Sequence, residues 1–198
     1  MQKDKGLLVI DVQQDFCPAG ALPVPEGDNV VTALNEYIDY FVQSRWPVIF
    51  TRDWHPKDSQ HFEAQGGKWP SHCVEGTPGA RFPRQLSVPA QSIVVSKGME
   101  RNQDGSSAFE GVNSQKYGLQ QILKASNIKE LWVGGLATDY CVKTSVLDAL
   151  KSGYRVKLLV DAIRGLDIHP GDSKKAIDEM VRAGAQQMTR QGIGHLQE

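Results

Sequence analysis

The chain has 198 residues, of which 40% are hydrophobic and 23% are charged, and its formal net charge is −1. This composition is typical of a globular protein, and the length suits one well-filled core, so we expect a single domain over residues 1–198. The balanced charge argues against a surface that binds nucleic acid or a membrane. No apolar run in the sequence approaches the ~20 residues that a membrane span needs.

Three cysteines, Cys17, Cys73 and Cys141, form an odd set without the spacing of a disulfide framework. The first six residues lead directly into an apolar run, without the hydrophobic region of a signal peptide. Both features favour reduced thiols and a cytoplasmic location.

Apolar runs alternate with segments of helical periodicity along the chain. The runs predict strands at 6–12, 46–51, 92–96, 131–135 and 155–160, and a shorter sixth strand is expected at the edge of the sheet, at 185–189. The periodic segments predict a helix that begins after Asp28 and further helices at 114–126, 139–151 and 173–183. Loops are expected at 15–27, 54–91 and 98–111. We therefore predict an α/β three-layer sandwich with a Rossmann-like, six-stranded, mostly parallel sheet.

Residues with reactive or metal-binding side chains lie at the ends of four of these strands. Asp11 closes the first strand, Asp53 follows the second, Lys97 follows the third and Cys141 lies beyond the fourth. In open α/β sheets, ligands bind outside the carboxyl ends of the strands, so we expect these side chains to meet in one crevice.

Cys141 is the candidate nucleophile. The stretch 131–143 predicts a strand that closes at Gly134-Gly135, then a tight turn and a helix. This places Cys141 in the first helical turn, where backbone amides favour a thiolate. Asp11 could act as its base and Lys97 could keep the thiolate favourable. The alternatives are a buried structural cysteine, a carboxylate bonded to loop amides and a solvated lysine. The shared position at strand ends favours the catalytic interpretation.

The long loop after the second strand carries a candidate metal site. Three of the five histidines and one carboxylate fall within twenty residues, at Asp53, His55, His61 and His72. Imidazole with carboxylate suits Zn²⁺, Fe²⁺ or Mn²⁺, and the affinity order favours Zn²⁺. The irregular spacing indicates a site with open coordination positions rather than a zinc finger, although a merely polar loop is the alternative.

Other residues of these loops have simpler expected roles. Phe16, Leu22 and Trp69 could stack on a flat aromatic ligand or could serve ordinary loop packing. Cys73 is interpreted as a packing residue. The two remaining histidines, His169 and His195, are expected to be structural or solvated.

Three sequence blocks together resemble the nicotinamidase/pyrazinamidase family of isochorismatase-like cysteine hydrolases. They are Asp11-Val-Gln-Gln-Asp-Phe16, Asp53-Trp-His-Pro with the later His61 and Trp-Pro-Ser-His72-Cys, and Gly134-Gly-Leu-Ala-Thr-Asp-Tyr-Cys141-Val. The resemblance covers residues 6–162. It implies the isochorismatase-like hydrolase fold and conversion of nicotinamide and water to nicotinate and ammonia, and of pyrazinamide to pyrazinoate.

The resemblance also implies a role for each matching residue. Cys141 would form a thioester, Asp11 would carry the proton and Lys97 would balance the charge. The oxyanion would lie against the backbone N–H groups of Ala137 and Cys141, after a cis peptide bond between Leu136 and Ala137. One divalent ion, with Zn²⁺ expected first, would bind the ring nitrogen and be held by Asp53, His55, His61 and His72. The substrate would contact Phe16, Leu22, Trp69 and Ala137.

Two further features follow from the resemblance. Members of the family often self-associate, so a homo-oligomer is possible. Residues 99–107 are polar and lack the tyrosine that some relatives place near the pocket.

Two other functions remain open on sequence grounds. One is a metal-free amidase of the same superfamily that acts on a carbamoyl or ureido substrate. The other is a non-catalytic protein that responds to metal or redox state through Cys141 and Cys73.

Overall fold

A parallel sheet of six strands forms the centre of the fold, as the sequence predicted. The computed structural model describes residues 4–194. The strands are β1 (Lys5–Ile10), β2 (Val48–Asp53), β3 (Ile93–Lys97), β4 (Glu130–Leu136), β5 (Arg155–Arg164) and β6 (Gln186–Met188). Their order is β3-β2-β1-β4-β5-β6, and every neighbouring pair is parallel.

Five α-helices accompany the sheet: α1 (Val30–Gln43), α2 (Leu119–Ala125), α3 (Lys143–Lys151), α4 (Asp172–Arg182) and α5 (Gln191–Gly194). Single-turn 3₁₀ helices lie at Gln14–Phe16, Gly27–Asn29, Glu63–Gln65 and Ala108–Glu110, and a wider turn spans Thr138–Val142. Within residues 4–194, no helix has both the length and the apolar character to cross a membrane.

The strand β1 buries both of its faces, which explains the apolar sequence of residues 7–10. In β1, Leu7 and Val9 pack into a core with α1, whereas Leu8 and Ile10 pack into a second core with α2, α3 and α4. All four side chains are fully buried, and each such burial stabilises the fold by about 1.5–3 kcal/mol. The three predicted layers are therefore confirmed.

The direction of the strand order reverses between β1 and β4. From β1 the chain proceeds outwards through β2 to β3, then returns to β4 beside β1 and proceeds to β5 and β6 on the other side. A crevice opens at such a switch point, outside the carboxyl ends of the strands. Asp11 follows β1 and Cys141 follows β4, so both lie at this crevice.

The helix predicted at 114–126 is shorter than expected. The side chain of Asn113 accepts hydrogen bonds from the backbone N–H groups of Gln115 and Tyr117, which forms a turn in place of the first helical residues. Asparagine side chains compete with helical hydrogen bonding in this way. The helix α2 therefore begins at Leu119.

The fifth strand is longer than predicted and extends to Arg164 rather than ending at 160. An irregularity between Val133 and Gly135 shifts its register against β4. His169 is exposed and lies beside Asp172, in agreement with a solvated role. His195 lies outside the described residues.

Candidate active site

The turn that carries Cys141 follows directly from β4. The peptide bond between Leu136 and Ala137 is cis, as the family resemblance implied. The backbone N–H of Val142 then donates to the carbonyl oxygen of Ala137 at 3.1 Å, which closes a turn wider than an α-helical one. Cys141 thus lies at the carboxyl end of β4, two residues before α3 begins.

Lys97 connects the sulfur of Cys141 to the carboxylate of Asp11. Its Nζ lies 3.5 Å from Cys141 Sγ and 2.7 Å from Asp11 Oδ2. Asp11 and Lys97 are almost completely buried. Ligand atoms of Asp11, Cys141 and Asp53 all lie within 4.8 Å of one another. The three predicted catalytic side chains are therefore in contact, although they come from three different strand ends.

Thr51, which the sequence analysis did not identify, fixes Asp11 from the neighbouring strand. Its hydroxyl donates to Asp11 Oδ1 at 2.6 Å and accepts from the Asp11 backbone N–H at 3.2 Å. Asp11 has a φ of 45°, in the left-handed region, where residues other than glycine are uncommon. Both contacts hold the carboxylate towards Lys97 and Cys141.

Burial and the neighbouring charges have opposing effects on the pKa values of this cluster. Burial raises the pKa of Asp11 to about 6, even with Lys97 beside it. Burial alone would lower the pKa of Lys97, but Asp11 and Asp53 raise it well above its usual value. Burial also raises the pKa of Cys141 well above its usual value, and this exceeds the opposing effect of Lys97. Burial therefore favours the neutral thiol of Cys141 over the thiolate, so a base must take its proton, which is the role expected of Asp11.

Asp53 joins this cluster to the histidines of the long loop. Its Oδ1 lies 2.5 Å from Lys97 Nζ, and its Oδ2 lies 3.9 Å from His55 Nε2. Burial would raise the pKa of Asp53, but Lys97 and His55 lower it, so the carboxylate is ionised. Gln13 fixes its backbone by donating to the Asp53 carbonyl at 2.8 Å and accepting from its N–H at 2.7 Å. The two constellations that the sequence suggested separately form one network.

The three histidines of the long loop each have one ring nitrogen close to those of the other two. Each Nδ1 faces an oxygen acceptor: His55 the Gly98 carbonyl at 3.0 Å, His61 the Asp104 carboxylate at 3.0 Å and His72 the Pro70 carbonyl at 2.8 Å. These partners place the proton on Nδ1 and leave the Nε2 lone pair available. Second hydrogen bonds of this kind are typical of histidines that bind a metal.

This arrangement fits a divalent metal ion. One ring nitrogen from each histidine lies within 4.8 Å of the others. The Nε2 of His55 is buried and has no hydrogen-bond partner within residues 4–194. Burial lowers the pKa of His55 to about 4 and also lowers that of His72, so both rings are neutral at physiological pH. Neutral imidazole with a nearby carboxylate is a donor set that Zn²⁺ and related ions prefer.

A cavity of about 230 Å³ lies beside Cys141. Four of its lining residues are the predicted substrate contacts, Phe16, Leu22, Trp69 and Ala137. The rings of Trp69 and Tyr140 pack edge to face, with their centroids 5.1 Å apart. Pockets for drug-sized ligands usually measure about 300–1,000 Å³, so this cavity suits a molecule with a single ring.

Two further acidic side chains, which no sequence pattern identified, shape the site. Asp139 accepts hydrogen bonds from the backbone N–H groups of Leu166 and Asp167 at 2.9 and 2.8 Å. Asp15 accepts from the backbone N–H of Cys73 at 2.7 Å. Both carboxylates bind the backbone of distant loops, which no local spacing reveals. Cys73 is fully buried in the core on the α1 side of the sheet, in agreement with a packing role.

Comparison with known proteins places this geometry in a family. The isochorismatase domain model matches residues 5–192. The nicotinamidase of Escherichia coli (strain K12) is 42% identical over 91% of this chain and 92% of its own length. The crystal structure of the Pyrococcus horikoshii pyrazinamidase in complex with zinc has a TM-score of 0.87 and 41% identity, and the match covers 94% of this chain and 99% of that one.

A third similar protein, PnC1 from L. infantum in complex with nicotinate, has a TM-score of 0.83 at 30% identity and covers 94% of this chain and 93% of that one. Each of these three matches covers more than nine-tenths of this chain. The chain therefore belongs to the nicotinamidase/pyrazinamidase family of isochorismatase-like hydrolases.

Proposed function

We propose that this protein is a nicotinamidase that hydrolyses nicotinamide to nicotinate and ammonia, and pyrazinamide to pyrazinoate, through a thioester on Cys141. The observation that carries the proposal is the position of Lys97 Nζ, which contacts Cys141 Sγ, Asp11 and Asp53 together. This cluster lies beside a cavity of single-ring size. The activities named for the similar proteins support the same substrate class.

The first chemical step begins from a neutral thiol. Because the pKa of Asp11 is about 6 and that of Cys141 is raised by burial, Asp11 is the ionised partner near neutral pH. Asp11 accepts the thiol proton while the sulfur of Cys141 attacks the carboxamide carbon. The Lys97 cation stabilises the negative charge that develops on the sulfur. General base catalysis of this kind contributes about 10²–10⁴ in rate.

The attack converts the carboxamide oxygen into an oxyanion. The backbone N–H groups of Ala137 and Cys141 are the proposed donors to it, and one such donor lowers the barrier by about 3–4 kcal/mol. Asp11 then passes its proton to the amide nitrogen, the C–N bond breaks and ammonia leaves. The nicotinoyl group stays on Cys141 as a thioester.

Hydrolysis of the thioester uses the same side chains, with water as the nucleophile in place of the Cys141 thiol. Asp11, again ionised, accepts a proton from water as the water oxygen attacks the thioester carbon. The C–S bond breaks, the proton returns from Asp11 to the sulfur, and the acid product loses its remaining proton to solvent and leaves as nicotinate. The enzyme regains its neutral thiol, so one water is consumed for each ammonia released.

The residues proposed to hold a divalent cation, with Zn²⁺ the first candidate, are Asp53, His55, His61 and His72. When bound, such a cation supplies a Lewis-acidic contact for the ring nitrogen of the substrate. The aromatic side chains of Phe16 and Trp69 and the aliphatic Leu22 surround the ring in the cavity. Positioning the ring in this way places its carboxamide beside Cys141.

Two alternatives have less support. A metal-free amidase for carbamoyl or ureido substrates gives no role to three imidazoles that converge with available Nε2 atoms. A thiol sensor would need Cys73 as a reactive partner. Burial raises the pKa of Cys73 well above its usual value, and the side chain is fully buried, which disfavours a reactive thiolate.

The proposal is tested by measuring ammonia release from nicotinamide together with the metal content of the same sample. We expect activity in the wild type and about one divalent ion per chain. The Cys141→Ala variant should bind metal and fold normally but release no ammonia. Cys17→Ala is the matched control, because Cys17 is a half-buried cysteine whose thiol has a pKa raised to about 11 by burial. Equal ammonia release by wild type and Cys141→Ala would reject the proposal.

A further inference from the structure

The loop of residues 98–111, here called the acceptor loop, supplies oxygen acceptors to three functional side chains. The Gly98 carbonyl faces His55 Nδ1 at 3.0 Å, the Asp104 carboxylate faces His61 Nδ1 at 3.0 Å and the Gly105 carbonyl accepts from Lys97 Nζ at 2.6 Å. One segment therefore borders both the imidazole cluster and the catalytic lysine. Two of its acceptors are backbone carbonyls, and only the contact of Asp104 depends on a side chain.

Asp104 is held beside His61 from both directions along the chain. On its C-terminal side, the carbonyl of Gly105 is bound by the buried Lys97. On its N-terminal side, the Arg101 carbonyl accepts from the backbone N–H of Gln60, the residue before His61. The acceptor loop is thus fixed against the segment that carries the histidine.

The two side chains of the ion pair between Asp104 and His61 differ in their exposure to solvent. The Asp104 side chain is 74% exposed, whereas that of His61 is only 14% exposed. Among the described residues, His61 is the one ion-pair partner of Asp104. An exposed carboxylate gains little from such a surface pair alone, so stability gives a weak reason for this contact. Orientation of the histidine gives a stronger one.

We propose that Asp104 is a positioning residue that orients His61 towards a divalent cation and increases the affinity of the site for it. The proposal rests on the imidazole metal site proposed above. A carboxylate that accepts from Nδ1–H fixes the ring, sets the tautomer and makes Nε2 a more basic ligand. Loss of such a partner typically weakens metal binding by about 10–100-fold.

The test uses the full chain, stripped of metal, and measures Zn²⁺ affinity by competition with a chromogenic chelator. We expect Asp104→Ala to weaken Zn²⁺ binding by about 10–100-fold. Asp104→Asn keeps an oxygen acceptor but loses the charge, so its affinity should fall between those of Asp104→Ala and the wild type. The absorption spectrum of the Co²⁺-loaded protein should change in Asp104→Ala, because the ligand geometry changes.

Asp58→Asn is the matched control. Asp58 is an exposed loop carboxylate that pairs with Arg101 at 3.4 Å rather than with a histidine, so its loss should leave Zn²⁺ affinity at the wild-type value. A double-mutant cycle gives a sharper test, since Asp104→Ala should have no further effect once His61→Ala is present.

Three results would overturn the inference: unchanged Zn²⁺ affinity in Asp104→Ala, an equal loss in Asp58→Asn, or full additivity with His61→Ala. Because the affinity is measured without substrate, its outcome is separate from the proposed activity. A protein that does not hydrolyse nicotinamide but loses Zn²⁺ affinity through Asp104 would reject the activity and support the inference. Failure of the wild type to bind Zn²⁺ would reject the metal site and the inference together.

Discussion

Asp53 and Lys97 are register partners on the neighbouring strands β2 and β3, and their side chains form an ion pair with a distance of 2.5 Å. Each strand ends at the residue that forms this pair. Lys97 also contacts Asp11 and Cys141, while Asp53 faces His55. The last rung of the β2–β3 ladder therefore connects the proposed catalytic cluster with the proposed metal site.

Removing the cation at the centre of this network should affect both activity and stability. In Lys97→Met, Asp11 and Asp53 remain buried without their shared positive partner. Breaking a buried ion pair in this way typically costs about 3–5 kcal/mol in the free energy of unfolding. We expect that loss, measured by denaturant unfolding, and a fall in kcat/KM for nicotinamide of at least about 100-fold.

Lys124→Met provides the control for that measurement. Lys124 is an exposed residue of α2, so its replacement should change neither the free energy of unfolding nor the activity by a measurable amount. Wild-type activity in Lys97→Met would contradict the role given to the lysine.

Activity should decrease on the acid side of a pKa near that of Asp11. Its pKa is raised to about 6 by burial, and the carboxylate must be ionised to accept the thiol proton. The base is therefore active above about pH 6, and kcat/KM should fall about tenfold for each pH unit below it. The measurement is a pH profile of kcat/KM, with circular dichroism at each pH to verify folding. A flat profile down to about pH 5 in folded enzyme would reject Asp11 as the base.

The hydroxyl of Thr51 should affect the pH at which kcat/KM falls on the acid side of the profile, here called the acid limb. It donates to Asp11 Oδ1 at 2.6 Å, and this contact lowers the pKa of the carboxylate against the effect of burial. Thr51→Val replaces the hydroxyl by a methyl group of similar size. We expect the acid limb of the kcat/KM profile to move to higher pH, with little change in activity at alkaline pH. An unmoved limb in the folded variant would show that the hydrogen bond does not tune the base.

Asp139 should influence substrate binding through the loop after β5. Its two carboxylate oxygens accept from the N–H groups of Leu166 and Asp167, and Leu166 lines the cavity. Asp139→Ala leaves these donors without their partner, at a cost of about 1–3 kcal/mol for each one that stays buried. We expect KM for nicotinamide to rise more than kcat falls.

Asp178→Ala is a suitable comparison for that variant. Asp178 is an exposed residue of α4 that pairs with Lys174 at 3.1 Å, so its loss should leave KM unchanged. Equal KM values for Asp139→Ala and Asp178→Ala would show that the loop after β5 does not depend on Asp139.

The order of strands and helices could be predicted because their patterns are local. Both faces of β1 are buried, so residues 7–10 are all apolar, and the strand ends at Ile10, directly before Asp11. The rule that ligands bind at the carboxyl ends of parallel strands then placed Asp11, Lys97 and Cys141 together. The sheet order brings β1 and β4 side by side, which accounts for the closeness of Asp11 and Cys141.

Contacts between distant segments could not be predicted in the same way. Gln13 fixes the backbone of Asp53, forty positions along the chain, and Asp104 faces His61 from another loop. Neither contact has a characteristic sequence spacing. The pKa of Cys141 also depends on contacts that a local pattern does not show, because burial raises it more than Lys97 lowers it.

The most direct test of the proposed chemistry is to stop the reaction during the first turnover and locate the acyl group by mass spectrometry. Nicotinamide is mixed with excess enzyme, the mixture is quenched in acid and the peptides are mapped. We expect a nicotinoyl group on Cys141 that forms as ammonia appears and is absent from Cys141→Ala. Ammonia release with no acyl group on Cys141, or with the group on another residue, would contradict the thioester mechanism.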